Sequence, residues 1–256
     1  MLSLELFLSL YYIFHQRRII MTQKQNISMK TQNSGGIESY FRRIFGLMAA
    51  AVGLTALTTF IMLISGAFMA LISHGGLSAT YYIIAFGGLA LSLWAQARAF
   101  SMQPKTAIWL LFLYSVLMGI VITPLVLVSS PISILLAIVL AAVMFGCMTL
   151  FGYKTIKDLS FLGIFLFLGM IGLILVGVVS IFVPLGATFN TIVCLIGVLV
   201  FALFAAYDMQ NLKRAYYALG NNGDTKNQLA VLGALHMYIS FIALFEYILS
   251  LLNNRN

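Results

Sequence analysis

The chain has 256 residues, of which 62% are hydrophobic and only 8% are charged, and its formal net charge at pH 7 is +8. A water-soluble domain of this length cannot bury so much apolar surface in one core, so the composition excludes a soluble globular protein. The two cysteines exclude a disulfide framework, and without a soluble domain the basic charge indicates membrane topology rather than a nucleic-acid partner.

The first residues, MLSLELFLSLYYIF, are apolar but too short to span a bilayer, and no basic residues precede them as in a signal peptide. Two interpretations are open: an interfacial anchor, or an over-extended start with translation beginning at Met21, which we favour. The following segment, TQKQNISMKTQNSGG, is polar and predicts a flexible cytoplasmic tail. We therefore expect an N-terminal tail over residues 1–39 and a membrane domain over residues 40–256.

Continuous apolar runs, long enough to cross a hydrocarbon core of about 30 Å as helices, recur along the rest of the chain. The four prolines fall at or near the ends of these runs, where a missing backbone N–H costs least. We predict an all-α polytopic membrane protein with seven transmembrane helices over residues 44–72, 80–97, 106–128, 132–153, 161–183, 191–207 and 229–252.

The basic residues predict the orientation of these helices. Lysines and arginines precede the first helix and flank the second, fourth and sixth connections, whereas the first, third and fifth connections carry none. Cytoplasmic segments of membrane proteins collect basic residues. We therefore predict a cytoplasmic N-terminus and an external C-terminus, with only Arg255 among the basic residues outside.

No motif for enzyme chemistry occurs in the chain. The nucleophile elbow, the HEXXH zinc motif, the phosphate-binding loop and the dinucleotide fingerprint are all absent. His15 lies in the N-terminal tail and His74 in an external loop, where a solvated imidazole is the ordinary role of a histidine. We expect neither enzymatic activity nor a cofactor, because an intramembrane hydrolase would need a nucleophile and base that the sequence does not show.

An ionisable group within a membrane span is costly and needs a partner or a function. Asp208, in FAAYDMQNLKRAYY, is too short to reach the headgroups. At about 100° per residue, Lys213 lies roughly 140° and Arg214 roughly 120° around the helix from Asp208, so neither shares its face. A partner must come from another helix or from a cation; a carboxylate with a purely structural role is the alternative.

The connection ALGNNGDTKNQ brings two further polar residues near Asp208. If the last two helices fold back about Asn222, then His236 lies at the depth of Asp208, and Ser240 lies one turn beyond His236 on the same face. The sequence therefore predicts one polar pocket near the cytoplasmic side, lined by Asp208, His236 and Ser240.

Two other charges lie in or beside the predicted spans. Arg98 follows the second helix, where its long side chain can reach the headgroups, so snorkelling is the main interpretation and a site role the alternative. Glu246 lies in the outer half of the last helix, where a functional role and a place at the outer rim are both open.

From Tyr40 onward the chain resembles the bacterial branch of the Bax inhibitor-1 family, also called the transmembrane Bax inhibitor motif family. The resemblance rests on the order and spacing of FRRIFGLMAAAVGLTAL, LFLYSVLMGIVITPL, LFGYKTIKDLS, FAAYDMQNLKRAYY and LAVLGALHMYISFIALFEYIL. It implies seven transmembrane helices with the last at the centre of the bundle, and a pH-sensitive calcium leak across the bacterial cytoplasmic membrane.

In that family two aspartates, at the end of the sixth helix and in the seventh, share a proton and set the state of the pore. Asp208 matches the first, but Ser240 and Ala243 stand where the pattern has the second aspartate and a following asparagine. A serine can donate a hydrogen bond to Asp208 but cannot share a titrating proton with it. His236 is the predicted substitute, because a histidinium would favour ionised Asp208; Glu246, about 120° around the helix from Ser240, is less suited.

Two hypotheses of function follow. In the first, the protein is a passive pathway for Ca²⁺ through the bilayer, and Asp208 is a weak, transient cation site, since Ca²⁺ prefers roughly six to eight oxygens. In the second, it is a non-conducting regulator that binds other membrane proteins, such as proteases or cell-death components. The sequence predicts no nucleic-acid partner and leaves the oligomeric state open.

Overall fold

The computed structural model describes residues 34–73, 76–97, 103–182, 186–219 and 223–254. In these ranges seven long helices follow one another: α1 (Ser34–Ile64), α2 (Ala79–Ala97), α3 (Pro104–Leu127), α4 (Pro131–Lys154), α5 (Leu162–Phe182), α6 (Ala187–Ala218) and α7 (Gly223–Asn253). Within the same part of the chain, all of them except α2 are long and apolar enough to cross a membrane, which makes six candidate spans. The chain is therefore a polytopic membrane protein.

The predicted N-terminal tail lies almost wholly outside the described residues. Both of its possible starts, at residue 1 and at Met21, also lie outside them. The first helix does not follow the prediction over 44–72, which is wrong at both ends, because α1 begins at Ser34 and ends at Ile64. The chain then turns at Gly66, whose φ of 67° suits a residue without Cβ. The apolar run continues past this turn because Phe68 and Leu71 are buried against the bundle, not because the helix continues.

The segment between α1 and α2 is short and compact. A 3₁₀ helix (Ala67–Leu71) leads into two antiparallel strands, β1 (Ile72–Ser73) and β2 (Gly76–Leu77), in which Ile72 lies opposite Leu77. A second 3₁₀ helix (Leu159–Phe161) precedes α5.

Prolines begin two of the helices, as their fixed φ and missing N–H favour. Pro104 and Pro131 are the first residues of α3 and α4, and the Ser130 side chain caps α4 by accepting a hydrogen bond from the backbone N–H of Ser133. Pro124 lies inside α3, one turn before its end. The helix bounds predicted near Pro104 and Pro131 therefore agree closely with those observed.

Helix α7 is enclosed by other helices. It contacts α1, α3, α4 and α6, and 83% of its most apolar stretch is buried, against 44% for α6. Small residues permit this close packing, as is common between helices in lipid. At Gly233 of α7, an added Cβ would lie 2.6 Å from Leu212 Cδ2 on α6.

Helix α6 extends well beyond its predicted end at residue 207. It continues to Ala218, so Asp208 lies inside the helix and not at its end. The sequence prediction stopped where the apolar run stops. The helix continues because its polar last turns are held by the chain segment after α4 on one side and by α7 on the other.

Candidate functional site

Asp208 of α6 and Ser240 of α7 meet in the buried contact between the two helices. Ser240 Oγ donates a hydrogen bond to Asp208 Oδ2 across 3.1 Å, and both residues are almost fully buried, at 1% and 6% exposed. The antiparallel packing of α6 on α7 brings the two side chains to the same depth. The structure thus brings together two of the three residues of the predicted pocket.

This contact compensates a charge on Asp208 poorly. A separation of 3.1 Å is at the long end for an O–H···O hydrogen bond, and Ser240 is its only hydrogen-bond donor within the described part of the chain. An ionised carboxylate buried with one neutral donor retains most of its desolvation cost. Asp208 is therefore favoured either in its neutral form or beside a cation.

The remaining predicted site residues lie either on α7 or outside the described residues. His236 lies on α7 one turn before Ser240 and is half-buried; its contact with Asp208 stays a prediction. Arg98, His15 and His74 lie outside the described residues. Glu246 lies on α7, half-buried, about a turn and a half beyond Ser240.

Asn211 is a polar neighbour of Asp208 to which the sequence assigned no role. It lies one turn after Asp208 on α6, and the spacing of three residues puts the two on neighbouring positions of the helix surface. Its Nδ2 atom is buried without a hydrogen-bond partner in the part of the chain that the structure describes. The helical spacing alone could have indicated Asn211 as a member of the site.

Gln210 attaches the opposite face of α6 to the connection after α4. Its Oε1 accepts a hydrogen bond of 2.9 Å from the backbone N–H of Leu159, and its Nε2 donates one of 2.8 Å to the carbonyl of Lys157. Gln210 lies roughly 160° around the helix from Asp208. One turn of α6 therefore binds α7 on one side and the α4–α5 connection on the other.

Lys213 and Arg214 strengthen the same attachment. Lys213 Nζ donates to the carbonyl of Tyr153 across 2.7 Å, where a cation also suits the C-terminal end of α4. Arg214 donates to Ser160 Oγ across 2.9 Å and forms an ion pair of 2.8 Å with Asp158. These contacts agree with the helical geometry that separates both basic residues from Asp208.

The ionisation of Asp158 is fixed by its neighbours. Hydrogen bonds from Ser160, and then from Arg214, lower the pKa of the Asp158 carboxyl well below its usual value. The carboxylate is therefore charged at any physiological pH, and the ion pair with Arg214 stays formed. We name the contacts of Gln210, Lys213 and Arg214 with residues 153–160 the inner clamp.

Metal ligation by a preformed cluster finds no support in the described residues. No group of three or more His, Cys, Asp or Glu side chains gathers there in a way that could hold a metal ion. Asp208 with Ser240 offers two oxygen-bearing groups, which suits weak and brief contact with a hard cation rather than tight binding.

Comparison with known proteins finds a matching family model and several similar bacterial proteins. A family model described as "Inhibitor of apoptosis-promoting Bax1" matches residues 37–256, a region that contains Asp208, Ser240 and the inner clamp. The inner membrane protein YbhL of Escherichia coli (strain K12) is 33% identical over 229 residues, which cover 88% of this chain and 95% of YbhL. An uncharacterized protein of Caulobacter vibrioides is 38% identical over 175 residues, covering 68% of this chain and 70% of that protein.

Proposed function

Because the chain belongs to the Bax inhibitor-1 family, we propose that it forms a passive, pH-sensitive pathway for Ca²⁺ through the membrane, closed at the contact between Asp208 and Ser240. Its spanning helices, and the printed name of its relative YbhL, support a location in a bacterial inner membrane. The bilayer is then its immediate environment, and passive ion passage needs no enzymatic step and no resident cofactor.

The single observation that supports this function is the buried hydrogen bond from Ser240 to Asp208. This contact closes the space between α6 and α7 at the level of Asp208. A cation can replace Ser240 as the partner of the Asp208 carboxylate. An arriving cation stabilises the ionised carboxylate far more than the single hydrogen bond from Ser240 does. Protonation of Asp208 and entry of a cation are therefore alternatives, and this competition links ion passage to pH.

We further propose that α2 is a seventh span and that the N-terminus is cytoplasmic. The N-terminal ends of α1 and α7 meet through a hydrogen bond from Arg43 to Asn227. The C-terminal end of α6 joins them, with Lys226 Nζ 4.1 Å from the ring centre of Tyr216. Basic residues thus collect at one end of the bundle, as on the cytoplasmic side of membrane proteins.

The test is Ca²⁺ flux into liposomes that contain the purified full-length protein, measured at several pH values. We expect flux above that of empty liposomes, and we expect Asp208→Asn to remove its pH dependence. Asp158→Asn is the matched control, because it removes an exposed carboxylate outside the spans and should keep the pH profile. Absence of flux, or an unchanged profile in Asp208→Asn, would contradict the proposed pathway.

One observation favours a second function, a membrane regulator that binds other membrane proteins without conducting ions. Ser240 stands where the family pattern has an aspartate, so the coupled titration of two carboxylates is lost. Crosslinking in native membranes distinguishes the two functions. A regulator predicts a stable partner that is still crosslinked to Asp208→Asn, together with no flux in liposomes.

A further inference from the structure

The α4–α5 connection presents a surface that the inner clamp does not use. Ile156, two residues after the end of α4, is 100% exposed. It lies between Lys154 and Lys157, whose side chains are also exposed. A fully exposed isoleucine gives up the stabilisation that burial of its apolar surface provides. A partner that fits this surface therefore offers both an apolar layer and negative charge.

This surface lies between the ends of two candidate spans. The span of α4 ends at Lys154, and that of α5 begins at Leu159. Exposed phenylalanines border the connection on both sides, Phe151 in the last turn of α4 and Phe161 directly before α5. Because exposed apolar side chains of spanning helices face the hydrocarbon, Ile156 continues the lipid-facing surface at the point where both helices leave the hydrocarbon. The partner within reach is therefore a lipid.

The charge of this surface is positive because the nearby acid is already paired. Asp158 is the only acidic residue of the connection, and it forms the ion pair with Arg214. Within the part of the chain that the structure describes, the ammonium groups of Lys154 and Lys157 form no hydrogen bond and no ion pair. Two exposed cations thus flank Ile156, and the connection has no further carboxylate to neutralise them.

We propose that Lys154, Ile156 and Lys157 form a binding surface for anionic phospholipid, which we name the headgroup surface. Ile156 enters the boundary between headgroups and acyl chains, while the two ammonium groups bind lipid phosphates. Segments that lie in the membrane interface combine apolar insertion with basic residues in the same way. A soluble phosphate would satisfy the lysines but leave Ile156 in water, so a lipid is the occupant. The headgroup surface does not depend on ion passage.

The headgroup surface is connected to the inner clamp through the backbone. The carbonyl of Lys157 accepts a hydrogen bond from Gln210 of α6, and the N–H of Leu159 donates one to the same side chain. Anionic lipid on one side and α6 on the other thus restrict the same short segment. Because a ligand that binds only the folded state stabilises it, anionic lipid should raise the temperature of unfolding.

A fluorophore on the headgroup surface tests lipid binding directly. Ile156→Cys carries an environment-sensitive apolar label in a Cys147→Ser background, because Cys147 is exposed whereas Cys194 is buried. The full-length protein in neutral detergent micelles is titrated with phosphatidylglycerol and, separately, with phosphatidylcholine. We expect a blue shift of the emission at lower concentrations of phosphatidylglycerol. Lys154→Gln combined with Lys157→Gln should weaken the apparent affinity about 25-fold, since each lysine contributes about fivefold, the equivalent of about 1 kcal/mol.

Two matched variants make the result specific. Lys105→Gln removes an exposed lysine of α3 and should leave the titration unchanged. A label on Val128→Cys, exposed at the other end of α4 in a connection without basic residues, should show no preference between the two lipids. Equal titrations with both lipids at Ile156, or an unchanged affinity after loss of both lysines, would overturn the headgroup surface. The same blue shift with inorganic phosphate alone, or with rising protein concentration and no lipid, would assign the surface to a soluble anion or to a second copy and would also overturn the proposal.

Thermal unfolding of the unlabelled protein in nanodiscs tests the connection to the inner clamp. The unfolding temperature of the wild type should be higher in phosphatidylglycerol than in phosphatidylcholine. This difference should decrease in Ile156→Ser and in the variant that lacks both lysines, while Lys105→Gln keeps it. The same difference in all four proteins would show that lipid at this surface does not stabilise the clamp.

Discussion

Thr55 of α1 and Tyr238 of α7 share a hydrogen bond of 2.7 Å between their hydroxyl oxygens at the centre of the bundle. Thr55 Oγ1 also lies 3.0 Å from the carbonyl of Ala51 and 3.0 Å from that of Ser115 on α3. A threonine hydroxyl carries one proton, which these carbonyls accept, so Tyr238 donates and Thr55 accepts. One hydroxyl thus joins three helices around the side of α7 that faces away from α6.

Tyr238→Phe should lower the free energy of unfolding by about 1 kcal/mol, the usual net value of one buried hydrogen bond. The ring remains, so its edge-on packing with Tyr114 is kept. Thr55→Val in a double-mutant cycle isolates the pair. Reversible unfolding in mixed micelles is the measurement, and fully additive effects of the two substitutions would show that the hydroxyls do not interact.

Within the inner clamp, Gln210 should contribute more to stability than the ion pair. Gln210→Leu leaves the N–H of Leu159 and the carbonyl of Lys157 without their partner, which should cost about 2 to 3 kcal/mol in the free energy of unfolding. Arg214→Gln breaks an ion pair whose side chains are 40% and 67% exposed, and exposed pairs contribute about 1 kcal/mol or less. The reverse order, from the same unfolding measurement, would contradict this assignment.

The Asp158 carboxylate should stabilise the inner clamp only above the pH at which it takes up a proton. Its folded-state pKa is lowered from the usual 3.8. Its contribution to the free energy of unfolding is therefore fully present above the usual pKa and is lost as the pH falls through the lowered folded-state pKa. Between about pH 5 and pH 8, where histidines titrate, wild type and Asp158→Asn should show parallel stability profiles. A stability difference that changes with pH across that interval would mean that another group controls the clamp.

Most of the helices could be predicted from the sequence, because hydropathy locates the long apolar runs and prolines mark the starts of α3 and α4. Pro104 and Pro131 mark helix starts whatever the rest of the fold does. The end of α6 could not be predicted in this way, because the helix past Asp208 is polar and is held by contacts with residues 153–160, distant in sequence. Helical geometry predicted that Arg214 does not face Asp208. The ion pair of Arg214 with Asp158 could not be predicted, because it depends on how the α4–α5 connection folds against α6.

Two glycines of α4 should respond in opposite ways to the same substitution. An added Cβ at Gly152 would overlap the backbone of Ala206 on α6, whereas nothing lies within 4 Å of one at Gly146. Gly152→Ala should force α4 and α6 apart at about 1 to 3 kcal/mol, while Gly146→Ala should stabilise the helix by up to about 1 kcal/mol. Thermal unfolding of both variants in one detergent provides the comparison, and equal stabilities would exclude the close α4–α6 approach.

Ser240→Asp should give the protein a pH dependence different from that of the wild type. The new carboxylate would face Asp208 where the serine hydroxyl now lies 3.1 Å away. Two carboxylates this close cannot both be ionised without a large repulsion, so they hold one proton between them and titrate as a pair. Ca²⁺ flux in liposomes should then change across a pH interval in which the wild type does not respond. Ser240→Ala removes the donor without adding a charge and is the matched control. If Ser240→Asp and Ser240→Ala gave the same flux profile, the contact between α6 and α7 at this level would not control ion passage.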